Sequence, residues 1–165
     1  MNKSITSLFI ATVAMIATVM PTSVQAALYV TIVQGLGGMP EFDSAFTDQA
    51  GKIREASLTL AEESQVTSLT GDSATRDALL SHFQTLAAAM TDDDRVAIYL
   101  VGHGSYDGEQ YKFNIPGPDI TDTDLVDIMD SLPGQNHFLV NTSSTSGAIL
   151  EALENENIIE EKFGN

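Results

Sequence analysis

The segment that decides the fold reads RVAIYLVGHGS, from Arg95 to Ser105. Its first seven residues have an apolar, β-branched and aromatic core, which is typical of a buried strand. The strand ends in a histidine between two glycines, Gly102 and Gly104. Small neighbours leave an imidazole and backbone amides accessible, so His103 is a candidate acid or base and Gly104 a candidate oxyanion donor. A structural histidine in a glycine turn has the same sequence, so this motif alone leaves both interpretations open.

The segments before this strand alternate between strand and helix patterns. Residues 28–33 are rich in β-branched and aromatic side chains and predict a first buried strand. Residues 42–62 predict an amphipathic helix, because apolar or small side chains recur every three or four positions in a stripe that includes Phe42, Phe46 and Leu60. A short strand is expected at 65–69. Asp72 or Ser73 then caps a second helix, whose buried stripe consists of Leu79, Phe83, Leu86 and Met90.

The segments after the strand continue the alternation. Residues 111–115 alternate in polarity like one arm of a hairpin, and Thr121 with Asp124 three residues later predicts a capped helix. Another strand is expected at 138–141 and another helix at 146–154. Strands joined by helical crossovers predict a mainly parallel sheet with helices on both faces, which is a three-layer α/β fold. In such sheets the functional residues lie on loops beyond the carboxyl ends of the strands.

A second loop of this kind follows the strand at 138–141. It reads NTSSTSG, from Asn141 to Gly147, and precedes a helix whose amino terminus favours a developing negative charge. Ser143 and Ser144 are therefore candidate nucleophiles or oxyanion-loop residues. A hydroxyl-rich segment of this kind is also typical of an ordinary helix cap.

Composition excludes several classes of function. The 165 residues include 7 Lys plus Arg against 23 Asp plus Glu, and the formal net charge is −16. So few cations supply no basic face for nucleic acid or an anionic membrane. The chain has no cysteine, which excludes disulfides, a Cys-based metal site and a cysteine nucleophile. No metal-binding or cofactor motif occurs, and we expect neither a metal nor a cofactor.

The first 26 residues have the pattern of a secretory signal peptide. Lys3 precedes an apolar run from Leu8 to Met20, and the segment ends in Val24-Gln25-Ala26, a small-residue cleavage pattern. The run is shorter than the roughly 20 residues that span a bilayer. We therefore expect a signal peptide at 1–26 and a single exported domain at 27–165, periplasmic or extracellular and free of the membrane. An uncleaved amino-terminal anchor is the alternative.

The two glycine- and serine-rich loops together resemble those of the caspase and legumain group of cysteine peptidases. In that group one strand ends in His-Gly-Ser, and a later strand ends in a cysteine followed shortly by Ser-Gly. Residues 99–105 are similar to the histidine strand and residues 138–148 to the cysteine strand. Residues 114–121 resemble bacterial exported members of the group. The similarity covers residues 28–154 and implies a caspase-like sheet.

The residue at the nucleophile position decides what the resemblance implies about activity. Ser144 stands where the family has its cysteine, and a serine hydroxyl is far less acidic than a thiol. We therefore expect a catalytically degenerate peptidase homologue. The alternative is an active hydrolase with Ser144 or Ser143 as nucleophile and His103 as general base. Asp107 and Asp119 are the candidates for a third catalytic residue.

The end of the chain is a second departure from the family pattern. The resemblance implies six strands in the order 2-1-3-4-5-6, whereas this sequence ends soon after the fourth predicted helix. We expect the last one or two strands to be absent, so that the fourth strand is an exposed edge. An exposed edge predicts an interaction module that binds a protein or peptide, or a second copy of itself, through that strand.

Overall fold

The computed structural model describes residues 26–134 and 136–154. Of the predicted signal peptide, only Ala26 lies within these ranges. No helix in them is both long enough and apolar enough to cross a bilayer. The elements in chain order are β1 (Leu28–Gln34), α1 (Pro40–Ser57), β2 (Val66–Leu69), α2 (Arg76–Ala89), β3 (Arg95–Val101), β4 (Gly104–Tyr106), β5 (Tyr111–Phe113), β6 (Ile120–Thr121), α3 (Asp122–Ser131), β7 (Asn136–Asn141) and α4 (Ile149–Glu154).

Four of the strands form a parallel sheet in the order β2-β1-β3-β7. Every connection between these strands contains a helix, as parallel pairing requires. Helix α1 packs on one face of the sheet, while α2, α3 and α4 pack on the other. The predicted three-layer α/β fold is confirmed.

Side chains of the central strands alternate between two cores. In β1, Ile32 packs towards α1, whereas Val33 joins the larger core beneath α2 and α3. The apolar stripe predicted for α2 is confirmed, because Leu79, Phe83, Leu86 and Met90 are all buried there. The larger core lies under the loops that follow β3 and β7, so it supports the candidate site.

Helix α1 is shorter than the sequence predicted. It ends at Ser57 and not near residue 62, and Leu60, expected in its buried stripe, is 75% exposed. The Ser57 hydroxyl bonds back to the carbonyl of Ile53, and the chain then turns towards β2. A separate capped turn at Glu63–Gln65 follows, so the apolar periodicity continues in sequence after the helix has ended.

The cap of α2 also differs from the prediction. Thr75 caps the helix, with its hydroxyl accepting a hydrogen bond from the amide of Ala78 at 3.3 Å. Asp72 and Ser73 instead lie in a preceding 3-10 turn. Several residues in this segment are good caps, and the turn that Thr70 begins decides which one is used.

The long connection between β3 and α3 forms a small antiparallel sheet in the order β4-β5-β6. The sequence predicted only one arm of it, at 111–115. Tyr111 and Phe113 of β5 are fully buried beneath it. The predicted cap of α3 is confirmed, because Thr121 and Asp124 each accept the other's amide proton at 3.1 Å.

Candidate functional site

The loops after β3 and β7 leave the sheet side by side, because the two strands are parallel neighbours. A Cβ atom added to Gly104 would lie 2.6 Å from both Ser143 Oγ and the Ser144 carbonyl oxygen. The structure therefore brings the His103-Gly104 loop against the serine loop. Gly104 itself is the first residue of β4 and pairs with Phe113.

Ser143 lies in a closed network of hydrogen bonds. Asn141 Nδ2 donates to Tyr111 Oη at 2.9 Å, and Tyr111 Oη lies 2.5 Å from Ser143 Oγ. Ser143 Oγ donates its single proton to the Ser144 carbonyl at 3.2 Å, so Ser143 accepts the proton of Tyr111. The network closes where the Ser143 amide donates to Asn141 Oδ1 at 3.1 Å.

This network engages the Ser143 hydroxyl as both donor and acceptor. Ser143 is 7% exposed. Burial raises the pKa of the Tyr111 phenol, so Tyr111 stays protonated near neutral pH and offers no base to Ser143. Between the two candidate nucleophiles, Ser144 is the exposed one. Only its carbonyl takes part in hydrogen bonds within the described residues.

The residue after Ser144 has a strained backbone. Thr145 has a φ of 59°, the left-handed region, which β-branched residues rarely adopt. Its hydroxyl donates to the Ser144 carbonyl at 2.6 Å. Such strain persists only where the surroundings impose it, and it concentrates in functional loops. It sharpens the turn that presents Ser144 to solvent.

His103 lies between two phenylalanine rings. The imidazole meets Phe42 and Phe46 of α1 edge-on, with ring centroids 5.0 Å away in both cases. Among the residues that the structure describes, no side chain hydrogen-bonds to the imidazole. Phe42 and Phe46 were predicted in the stripe that covers the sheet, but they lie beyond the strand ends because α1 begins there. They contact His103 instead.

The two candidate third residues have partners elsewhere. Asp107 pairs with Lys112 at 2.9 Å, which holds the pKa of its carboxyl well below the usual range. Asp119 accepts the amide of Ile115 at 3.2 Å and so closes its own loop. Neither carboxylate contacts His103 in this structure, so neither orients the imidazole.

Sequence reasoning did not single out four residues of the site: Tyr111, Asn141, Phe42 and Phe46. The alternation at 111–115 predicted only a hairpin arm, and the Ser143 hydroxyl that contacts Tyr111 lies 32 positions away in the sequence. Metal binding has no support in the ranges described, where no three potential His, Asp or Glu ligands come together.

A second candidate surface lies on the α1 face of the sheet, beside β7. Helix α1 packs mainly over β1 and β2 and leaves β7 uncovered on this face. Phe138 is 54% exposed and Val140 is 39% exposed. With Tyr99 and the turn at Leu58 they line a groove of about 1250 Å³. Within residues 26–134 and 136–154, no strand pairs with the outer edge of β7.

Comparison with known proteins supports the fold and goes no further. No protein-family model and no curated protein matches this sequence. A structural-genomics crystal structure from Geobacter sulfurreducens matches it with a TM-score of 0.55 and 15% sequence identity. The match covers 78% of this chain and 55% of that one, so this chain spans little more than half of that protein's length.

Proposed function

We propose that this chain is a non-peptidase domain of the caspase and legumain type, which acts by association through β7 and not by cleaving peptide bonds. The meeting of the His103-Gly104 loop with the serine loop supports the resemblance. The order β2-β1-β3-β7 agrees with the first four strands that the resemblance implies. Because other doubly wound sheets share this order, the resemblance depends on the loops as well.

The arrangement of the two loops supports the proposed absence of peptidase activity. The Ser143 hydroxyl is held by Tyr111 and the Ser144 carbonyl, and the partly exposed His103 ring contacts two phenylalanines edge-on. A serine nucleophile requires a base within hydrogen-bond reach and a third group that orients the base. Within the described residues, Ser144 has no base in hydrogen-bond reach, and no third group orients His103. Exposed Ser144 is the residue that favours the alternative, an active Ser-His hydrolase.

A fluorophosphonate probe tests this proposal, because it phosphonylates activated serine hydroxyls, with a bond formed from Oγ to phosphorus and fluoride as the leaving group. We expect no labelling of the folded wild-type chain above that of His103→Ala, since nothing removes the proton from Ser144. An unrelated serine hydrolase serves as the positive control, and Ser143→Ala and Ser144→Ala complete the series. Labelling that is lost in both Ser144→Ala and His103→Ala would instead establish a hydrolase and refute the proposal.

The proposed association depends on the composition of β7. This strand, NHFLVN, carries no Asp, Glu, Lys or Arg side chain in a chain of net charge −16. Exposed edges are normally protected by lysine, proline or inward-pointing charge. An unprotected edge with exposed Phe138 and Val140 is therefore suited to pairing with another strand.

The partner that we propose is a second copy of this chain. Antiparallel pairing of two β7 strands about a two-fold axis at Leu139 places Phe138 opposite Val140 of the partner subunit. The same operation places Val140 opposite Phe138 of the partner subunit, so the exposed apolar side chains cover one another on one face. Because the strand has no carboxylate, two acidic chains can meet there without opposing acidic side chains at the contact.

Sedimentation of the folded chain at micromolar concentration tests the association. We expect a dimer, and we expect Val140→Lys to weaken it at least ~100-fold, because the two-fold axis introduces the charge twice. Gln84→Lys adds the same charge on the exposed side of α2 and should leave the dimer intact. A monomeric wild type would refute self-association. This conclusion holds whether residues 155–165 or another protein covers the edge of β7.

A further inference from the structure

Asp94 is a buried carboxylate next to the start of β3. It is 4% exposed and accepts three hydrogen bonds, all from uncharged donors. The Ala27 amide donates to Oδ1 at 2.7 Å, while the Thr91 amide and hydroxyl donate to Oδ2 at 2.8 and 3.1 Å. Within the described ranges, no lysine, arginine or histidine pairs with Asp94. Burying an anion without a cation is costly, most of all in an acidic chain.

The shortest of these hydrogen bonds comes from Ala27, the residue that follows the predicted signal peptide. The Ala27 carbonyl accepts the Arg95 amide at 2.8 Å, and Leu28 pairs in register with Arg95. The backbone of Ala27 is therefore held as an extension of β1. This position fixes the nitrogen of Ala27 against the Asp94 carboxylate.

We propose that the chain is cleaved between Ala26 and Ala27, and that Asp94 is the built-in binding site for the new amino terminus. A leader peptidase of the export pathway adds one water across the Ala26–Ala27 bond. Ala26 leaves as a carboxylate, and the Ala27 amine takes up a proton. The resulting ammonium then donates where the amide donated, and it supplies the cation that Asp94 lacks.

This inference depends on the exact bond that is cleaved. A chain that begins at Ala26 has an amide at position 27, so its ammonium lies one residue beyond the carboxylate. A chain that begins at Leu28 has lost the donor altogether. The geometry thus distinguishes neighbouring cleavage points, which the small-residue pattern of the sequence does not do by itself. It is independent of the association proposed for β7.

The stability of the ion pair should depend on pH in a specific direction. Asp94 favours the protonated amine, so it raises the pKa of the amino terminus above its ordinary value of about 8. The contribution is therefore complete below about pH 8 and is lost as the pH rises through the raised value. The other charged groups near this position are Asp92 and Asp93 before Asp94, and Arg95, Glu62 and Glu63 in the adjoining groove.

Three forms of the chain test the proposal: one that begins at Ala27, the same form with an acetylated amino terminus, and one that begins at Ala26. At about pH 6 we expect the free Ala27 form to have a Tm about 5 °C above both others. This difference should disappear at about pH 10. In Asp94→Asn, where the carboxylate is absent, the three forms should melt at the same temperature.

Two results would overturn the inference. Equal melting temperatures of the three wild-type forms would show that the terminal charge has no partner, and this comparison holds even if Asp94→Asn fails to fold. A mass of the exported chain that corresponds to an amino terminus other than Ala27 would refute the cleavage point.

Discussion

Gly104→Ala should lower the free energy of unfolding by about 3 kcal/mol, because the added methyl group has no space. It would lie 2.6 Å from Ser143 Oγ and from the Ser144 carbonyl oxygen, and 2.8 Å from Tyr111 Oη. One of these atoms is backbone, and the other two belong to buried hydrogen bonds. The methyl group therefore has to separate the two loops and break the network, which adds unsatisfied polar groups to the steric cost.

Urea unfolding measures this loss, and two other glycines provide matched controls. Gly147 lies in the same serine loop, and a Cβ there would meet nothing within 4 Å, so Gly147→Ala should leave stability nearly unchanged. Gly51 lies exposed within α1, also in open space, and Gly51→Ala should stabilise the protein by about 0.5–1 kcal/mol. If Gly104→Ala were as stable as the Gly147 control, the two loops could not be in contact.

Asp124→Ala should cost a comparable amount, about 3 kcal/mol, because one buried carboxylate serves two structural roles. Asp124 is 6% exposed and accepts two hydrogen bonds from Arg76 of α2. Arg76 Nη2 donates to Oδ1 at 2.6 Å, and Nε donates to Oδ2 at 3.0 Å. It also accepts the amide and hydroxyl of Thr121 at the start of α3. Removing this carboxylate breaks the ion pair between α2 and α3, and it also removes the acceptor for Thr121 at the start of α3.

The effect of Asp124→Ala should depend on pH. The hydrogen bonds from Arg76, and after them those from Thr121, hold the pKa of the Asp124 carboxyl below its ordinary value. The unfolded chain therefore binds this proton more readily than the folded one, and the contribution is complete above about pH 4 and lost as the pH falls further. The stability gap between wild type and Asp124→Ala should stay constant from neutral pH to about pH 4 and shrink below that pH.

Asp127→Ala is the control for this prediction. Asp127 is exposed on the same helix, so its removal changes the net charge equally and should alter stability by less than about 0.5 kcal/mol. A gap for Asp124→Ala that stays constant down to low pH would contradict the assigned ion pair. The loss would then arise from packing alone.

Much of the fold could be predicted because local patterns agree with the tertiary structure. β3 is β-branched and apolar because it is buried on both faces, and α2 repeats apolar residues because one of its sides covers the sheet. Local patterns misled us where the apolar periodicity continues in the sequence beyond the end of the helix. Leu60 continues the periodicity of α1, yet it lies beyond the helix end, because the point at which a helix ends depends on how the next segment of the chain packs.

The candidate site could be located from the sequence, but its chemistry could not. That His103 and Ser144 follow neighbouring parallel strands is a consequence of the strand order, which the resemblance implied. That Tyr111 holds Ser143 and that two phenylalanines contact His103 depends on side chains that are distant in sequence.

The sequence by itself determined the alternation of strands and helices, the acidic charge, the absence of a thiol and the two loops at the strand ends. These features depend on residue type and on spacing between nearby residues, both of which are visible in the sequence itself. Only the tertiary structure decided that the Ser143 hydroxyl is engaged, that helix α1 leaves one face of β7 uncovered and that Asp94 meets Ala27. Each of these is a contact, or a missing contact, between segments whose distance is set by the packing of the whole sheet.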